Sequence, residues 1–178
     1  MYYSYLPSPV GDLLLTASDD GLTGLYPPAQ VRLPSAPGAR ADRVFADVAR
    51  QLDEYFAGIR FEFDVPLAAV GTAFQHRVWA LLSRIPFGER RTYGALAAEL
   101  GNPGASRAVG LANGRNLISI IVPCHRVVGH NGALTGYAGG LAAKQWLLEH
   151  EAGVAPDVGV DQPRGETHVP QLSGLTHR

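Results

Sequence analysis

The segment Thr92–Asn113, TYGALAAELGNPGASRAVGLAN, decides how the rest of the chain is read. Thr92 is a good N-cap for a helix running to Leu100, because its side-chain oxygen can accept from an otherwise orphaned amide of the first turn. Gly-Asn-Pro then breaks the chain. Asn102 is placed as a cap and Pro103 at the first position of a second short helix, which reaches about Asn113. Two short helices across a tight turn make a helix-turn-helix pattern. Helical hairpins also serve as plain packing units, so charge has to narrow the choice. Between Arg84 and Arg126 stand Arg84, Arg90, Arg91, Arg107, Arg115 and Arg126 against only Glu89 and Glu99. Six minus two gives a local +4 in a chain whose net charge is −1. The guanidinium is the cation best shaped for phosphate. The Ala- and Gly-rich second helix can approach a duplex backbone closely, although small residues equally suit tight helix packing.

Upstream the chain has strand and turn character. MYYSYL, GDLLLTAS and GLTGLY are short β-prone runs. SDDGL predicts a hairpin between the last two, with Asp20-Gly21 taking the positive φ angles of a tight turn. A Pro/Ala/Gly-rich loop covers Pro27–Ala41. Val44, Phe45, Val48, Leu52, Tyr55 and Phe56 then recur at helical spacing up to Gly58, with charged residues on a solvated face. FEFDV, residues 61–65, alternates as a strand. Phe74, Val78, Leu81, Leu82 and Ile85 share one face of a helix stopped by Pro86 and Gly88. The expected fold class is α/β of the α+β kind. A small N-terminal sheet-plus-helix layer, residues 1–70, precedes a mainly helical, winged-helix-like domain with the helix-turn-helix, residues 71–151. A loose tail covers 152–178.

Downstream, IIVPCHRVVG, Ile120–Gly129, reads as a core strand carrying the only cysteine of the chain. A buried thiol is ordinarily just a small hydrophobe. Cys124, however, is followed by His125, and a thiol becomes a nucleophile once a base removes its proton. Neighbours on an extended chain face opposite ways, so the base acts directly or through a water. Pro123 locks the backbone before the thiol. The Gly-rich GALTGYAGG surrounds Tyr137, and LAAKQWLLEH predicts a helix burying Leu141, Trp146, Leu147 and Leu148. Glu151 stands at the end of that helix, where it can orient the imidazole. On the residues alone three classes remain open: a DNA-acting thiol, a winged-helix regulator in which Cys124 is inert, and a Cys-His-Glu hydrolase.

Composition excludes other classes. With 178 residues, 46% hydrophobic and 17% charged, the chain has material for a core and is not a disordered sequence. One Cys rules out an intramolecular disulfide and a Cys-cluster zinc site. The glycines match neither a dinucleotide fingerprint nor a Walker loop. MYYSYLPSPV has no basic and apolar leader pattern, and no apolar run reaches membrane-spanning length. A cytoplasmic protein with no membrane partner, no metal and no cofactor is expected.

The motifs then carry a resemblance. IIVPCHRVVG resembles the active-site signature of the O6-alkylguanine-DNA alkyltransferases. RRTYGALAAELGNPGASRAVGLANGRN is similar to their helix-turn-helix with its Asn hinge, and GYAGGLAAKQWLLEHE to the segment that closes their site. The likeness covers roughly Thr72–Glu151 and is looser in the N-terminal layer. It implies direct reversal of DNA damage: a methyl or other small alkyl group passes from O6 of guanine, and from O4 of thymine, irreversibly to Cys124. The substrate is double-stranded DNA, the damaged base is flipped out, and each molecule acts once, as a monomer, with cooperative binding along DNA left open. It further implies His125 as water-mediated base, Glu151 completing the relay and Asn116 bracing the turn behind the site. Tyr93 crowds a phosphate and places its hydroxyl near guanine N3. Arg107 fills the vacated stack, with Ser106 and Arg115 also on the DNA-binding surface. Main-chain groups of Cys124, Val127 and Ala138 hold the base edge beside Tyr137. Three positions depart from the family pattern: Leu117 stands where Pro usually follows the hinge Asn, Ala138 where some members have Ser, and Ser119 where members accepting bulky adducts have Pro.

Overall fold

The computed structural model describes residues 1–30, 33–34 and 38–154. Strands β1 (Tyr2–Leu6), β2 (Leu13–Ser18) and β3 (Gly21–Tyr26) form an antiparallel meander, and the short β4 (Ala39–Arg40) adds to β1 in parallel, giving the order β3-β2-β1-β4. The hairpin is where SDDGL places it, but its two turn residues are Asp19 and Asp20, since Ser18 pairs with Gly21. Of the expected pair only Gly21 has a positive φ, +140°. Leu13, Leu15, Leu22 and Leu25 turn inward against α1 (Ala46–Phe56) and α2 (Ala73–Leu82).

Helix α1 is entered through a 3-10 turn, Asp42–Phe45, which changes the periodicity. Val44 consequently faces out at 49% exposure, while Phe45, Val48, Leu52 and Tyr55 are buried as their spacing predicts. FEFDV is not a strand. Its backbone is held by a side chain instead: Gln51 donates to the Asp64 carbonyl (2.8 Å) and accepts from the Asp64 amide (2.9 Å). Phe61 and Phe63 alternate because they pack on Phe87 and Tyr55, at ring separations of 4.8 and 5.5 Å.

Thr72 and Gln75 form a capping box on α2. Helix α3 (Tyr93–Glu99) is capped by Thr92, whose hydroxyl accepts from the Ala95 amide. A 3-10 turn at Pro103–Ala105 leads into α4 (Ser106–Gly114), completing the helix-turn-helix; Asn102 caps that turn with its backbone only, without a side-chain bond. Trp79 Nε1 donates to the Ala112 carbonyl and ties α2 to α4. The short β5 (Arg91–Thr92) pairs in parallel with β6 (Val127–Val128), anchoring the start of α3 to the segment after the cysteine.

IIVPCHRVVG is likewise not a core strand. It is buried nearly throughout, so its apolar pattern carries no period and cannot separate a strand from a buried turn. Ile120 adopts φ +71° and Pro123 has no amide to give a ladder. Cys124–Arg126 then closes a 3-10 turn, with the Arg126 amide on the Pro123 carbonyl. Only Val127–Val128 is extended. The last helix, α5 (Leu141–Val154), buries Leu147 and Leu148, half-buries Trp146 and exposes Leu141. Leu141 is its first residue and projects past the packed face. The helix continues through Ala152–Val154, which the sequence assigns to the tail; the rest of that tail lies outside the described residues. Among the described residues no helix is long and apolar enough to cross a membrane.

Candidate active site

The 3-10 turn presents Cys124, His125 and Arg126 in succession, all buried, with Cys124 2% exposed and His125 fully enclosed. Glu151, in the last turns of α5 and also fully buried, gathers this turn. Its Oε1 receives His125 Nε2 (2.7 Å), the Tyr55 hydroxyl (2.7 Å) and Arg126 Nη2 (3.0 Å). Its Oε2 receives Arg126 Nε (2.9 Å) and the Gly88 amide (3.1 Å). Arg126 also donates to the Ile85 carbonyl and lies over the Phe87 ring. Burial alone would raise the Glu151 carboxyl. The hydrogen bonds from His125 and Arg126, with the Arg126 charge, outweigh it and hold the group far below the ordinary carboxylate range.

The ionised carboxylate fixes the imidazole tautomer. A carboxylate only accepts, so the proton sits on Nε2 and Nδ1 keeps its lone pair. Nδ1 is buried and closes no bond among the described residues. Burial pushes the His125 pKa down, against the pull of Glu151, so the resting ring is neutral. Burial likewise pushes the Cys124 thiol up, opposed by Asn116, Lys144 and Ser119. The resting cysteine is therefore a protonated thiol, next in the chain to a neutral ring with an unoccupied lone pair. This arrangement can form a thiolate on demand.

Asn116 binds the backbone on both sides of the Ser119–Ile121 bend that precedes the 3-10 turn. Its Oδ1 accepts from the Ile118 amide (3.0 Å) and its Nδ2 donates to the Val122 carbonyl (2.8 Å). Leu117, without the ring of a proline, is held by the sheet: the Leu25 amide donates to its carbonyl, and the Ser119 amide donates back to Leu25. Tyr93, first residue of α3, sends its hydroxyl to the Thr135 carbonyl (3.3 Å). Tyr137 stands edge-on to His125, with ring centroids 6.4 Å apart. With Ala138 it also lines a cavity of about 760 Å³ bounded by Gln30, Trp79, Gly114, Arg115 and Leu117. Cys124 is not on that wall. Arg107 and Arg115 are exposed near the two ends of α4, with Ser106 half-buried at its start. His125 and Arg126, which follow Cys124 in the chain, are thus brought together with Glu151, and Arg107 stands apart on the helix-turn-helix surface.

Lys144 is the functional residue that sequence reasoning misses. It is fully buried on α5, and its ammonium donates to the carbonyls of Val127 (2.6 Å), Thr135 (2.7 Å) and Gly136 (3.5 Å). It thereby clamps the Gly-rich loop to the strand after the cysteine. Burial lowers its pKa to about 8, against the pull of Cys124. One signal could have found it. Lys144 is the only lysine in the chain, and it shares an i, i+3, i+4, i+7 stripe with Leu147, Leu148 and Glu151. Lys144→Met should cost about 2 kcal/mol of stability, because it leaves buried carbonyls unpaired. It should also speed amide exchange across Gly129–Gly140, measured by mass spectrometry; unchanged exchange there would remove the clamp.

Comparison with known proteins agrees with this geometry. Residues 1–69 match the 6-O-methylguanine DNA methyltransferase, ribonuclease-like domain, and residues 73–153 match the 6-O-methylguanine DNA methyltransferase, DNA binding domain. The chain belongs to the 6-O-methylguanine DNA methyltransferase family. A methylated-DNA–protein-cysteine methyltransferase of Methanosarcina acetivorans is 50% identical over 154 residues, covering 85% of this chain and 98% of the relative. The Mycobacterium bovis protein of the same name is 49% identical over 162 residues, covering 88% and 95%. A crystal structure of Mycobacterium tuberculosis OGT in complex with DNA superposes with a TM-score of 0.79 at 49% identity, covering 88% of this chain and 96% of that one. Membership of this family makes DNA repair by alkyl transfer the activity of the chain.

Proposed function

We propose that the chain repairs double-stranded DNA by moving a methyl or small alkyl group from O6 of guanine, and from O4 of thymine, onto Cys124. The observation that carries this reading is the buried Cys124 thiol next in the chain to His125, whose Nδ1 is unpartnered and whose other nitrogen is held by Glu151. As the substrate enters, the thiol proton passes to Nδ1, directly or through a water, and Glu151 stabilises the imidazolium. The sulfur attacks the alkyl carbon, a carbon–sulfur bond forms, and the carbon–oxygen bond breaks with its electrons going to the guanine oxygen. A proton delivered to the base neutralises that charge, with the Tyr93 hydroxyl assisting at N3. The thioether is stable and nothing in the site can cleave it, so one molecule repairs one lesion and acts as a monomer.

A thiol 2% exposed cannot meet a base inside a duplex. The nucleotide must leave the stack, and the Gly129–Gly140 loop must yield to admit it. Main-chain groups of Cys124, Val127 and Ala138 then hold the base edge against Tyr137. The Val127 carbonyl already accepts from Lys144, which leaves it one lone pair for the base. Arg107 fills the gap in the stack, and Ser106 and Arg115 contact the backbone. The deciding experiment is mass spectrometry after incubation with methylated duplex. One methyl per molecule on the Cys124 peptide supports the proposal. Unmodified protein, or many demethylations per molecule, would replace it with a binding module or a hydrolase.

Arg107 and Tyr93 should fail differently. Arg107→Ala removes the plug that compensates lost stacking, about 2–3 kcal/mol or roughly 30- to 150-fold in the duplex rate. It should scarcely touch transfer from a free O6-alkylguanine base, which needs no flipping. Tyr93→Phe removes assistance at the leaving base and should slow both substrates. Equal loss on both substrates for Arg107→Ala would make it a residue of the fold. Binding should weaken with salt on a shallow slope, since a local +4 neutralises only a few phosphates.

A further inference from the structure

Five buried polar side-chain atoms close no hydrogen bond among the described residues: Gln30 Oε1, Asn113 Oδ1, Ser119 Oγ, His125 Nδ1 and Tyr137 Oη. His125 Nδ1 is the base of the relay. Ser119 Oγ and Tyr137 Oη have no part in the mechanism above. Ser119 is fully buried, and its backbone is committed: its amide donates to Leu25 and its carbonyl accepts from Ile121. The next residue, Ile120, is the only described non-glycine with positive φ, a strained state for a β-branched side chain. That turn breaks the chain away from β3 and folds it back towards Pro123. The buried Ser119 hydroxyl is among the groups that favour the ionised form of Cys124, and likewise of Tyr137.

A neutral thiol is a weak acceptor, whereas a thiolate is a strong one. Donors left open around a protonated thiol are aimed at the charge that forms on reaction. We propose that Ser119, backed by Tyr137, donates a hydrogen bond to the Cys124 sulfur as it becomes a thiolate, making Ser119 a catalytic residue of the transfer. This rests on Cys124 being the nucleophile. No proton is lost from Ser119: the thiol proton goes to His125 Nδ1, and the Ser119 hydrogen stays on its own oxygen. Burial keeps the Tyr137 phenol protonated, so it can turn its hydrogen to Ser119 when the serine hydrogen turns to sulfur. The other side chains that interact with the thiol are Lys144 from α5, Tyr93 from α3 and Asn116, with His125 its neighbour in the chain; Ser119 and Tyr137 add uncharged donors to that set.

The test is Ser119→Ala, with Tyr137→Phe as second variant. Cys124 is the only cysteine, so the ultraviolet thiolate signal belongs to it alone. Ser119→Ala should leave about tenfold less thiolate at neutral pH, the scale of one hydrogen bond to a charged group. Transfer from methylated duplex should fall by the same factor at neutral pH and converge on wild type at alkaline pH. Tyr137→Phe should move both readouts the same way, by less. Melting of Ser119→Ala should be unchanged or higher, because the oxygen removed is an unpaired buried one. A thiol titration coincident with wild type, or a rate loss equal at every pH, would overturn the proposal and leave Ser119 a packing residue. The titration needs no substrate, so it reads Ser119 even if no alkyl transfer occurs.

Discussion

Cys124→Ser should reduce alkyl uptake to background while DNA binding stays within a few-fold of wild type. The substitution exchanges sulfur for oxygen in a site that is otherwise kept. The relay ends at His125 Nδ1, and a neutral imidazole can take a proton from a thiol far more readily than from an alcohol, whose acidity is much lower. Burial already raises the Cys124 thiol, so no reserve of acidity exists for a weaker acid to use. The resulting alcohol would stay protonated at neutral pH, and its oxygen is a poor nucleophile towards a saturated carbon. In the proposed reading α4 carries the DNA surface, and it holds none of Cys124, His125 and Glu151. The measurement pairs intact-protein mass after incubation with methylated duplex with a binding isotherm for the same DNA. Wild-type uptake by the variant would remove Cys124 from the reaction. Lost binding together with lost uptake would mean that the site and the DNA surface are one structural unit.

The helix-turn-helix was legible because its punctuation is chemical. Thr92 caps through its own hydroxyl, and Pro103 can occupy only the first turn of a helical segment. The β2–β3 hairpin was legible for a similar reason. FEFDV and IIVPCHRVVG were not, although both look like strands by composition. A strand pattern records which residues are buried, and says nothing of what satisfies the backbone. In one segment that partner is Gln51, thirteen residues from Asp64; in the other it is the turn's own carbonyls. Cys124, His125 and Glu151 were singled out as candidates by residue type and position, and their hydrogen bonding was not legible. Tyr55 and Gly88, which complete the shell of Glu151, stand 96 and 63 residues from it in the chain and carry no local mark. Lys144 was hidden by its type, because a lysine on a helix is normally solvated and its burial depends on carbonyls contributed by two other segments.

Glu151→Gln should both loosen the fold and slow the transfer, with opposite dependences on pH. Every partner of the carboxylate is a donor: His125 Nε2, the Tyr55 hydroxyl, two Arg126 nitrogens and the Gly88 amide. An amide has one oxygen and one NH₂, so whichever way it is turned its nitrogen faces a donor. Arg126, itself buried, loses its only counter-charge among the described residues. Breaking one half of a buried pair costs about 3–5 kcal/mol, which corresponds to a melting temperature lower by roughly 6–20 °C for a chain of this size. Sign follows from linkage. The folded-state value of Glu151 lies far below the unfolded carboxyl, so its contribution is complete above about pH 4.5 and is lost as pH falls towards the folded value. The melting difference between wild type and variant should therefore be greatest at neutral pH and shrink below pH about 4. Transfer should behave the other way. Without the carboxylate, burial lowers His125 unopposed, the ring no longer accepts the thiol proton, and the rate at neutral pH falls. Alkaline pH ionises the thiol without help, so part of the rate should return. A melting difference independent of pH, or a rate profile parallel to wild type, would show that Glu151 serves neither as counter-charge nor in the relay.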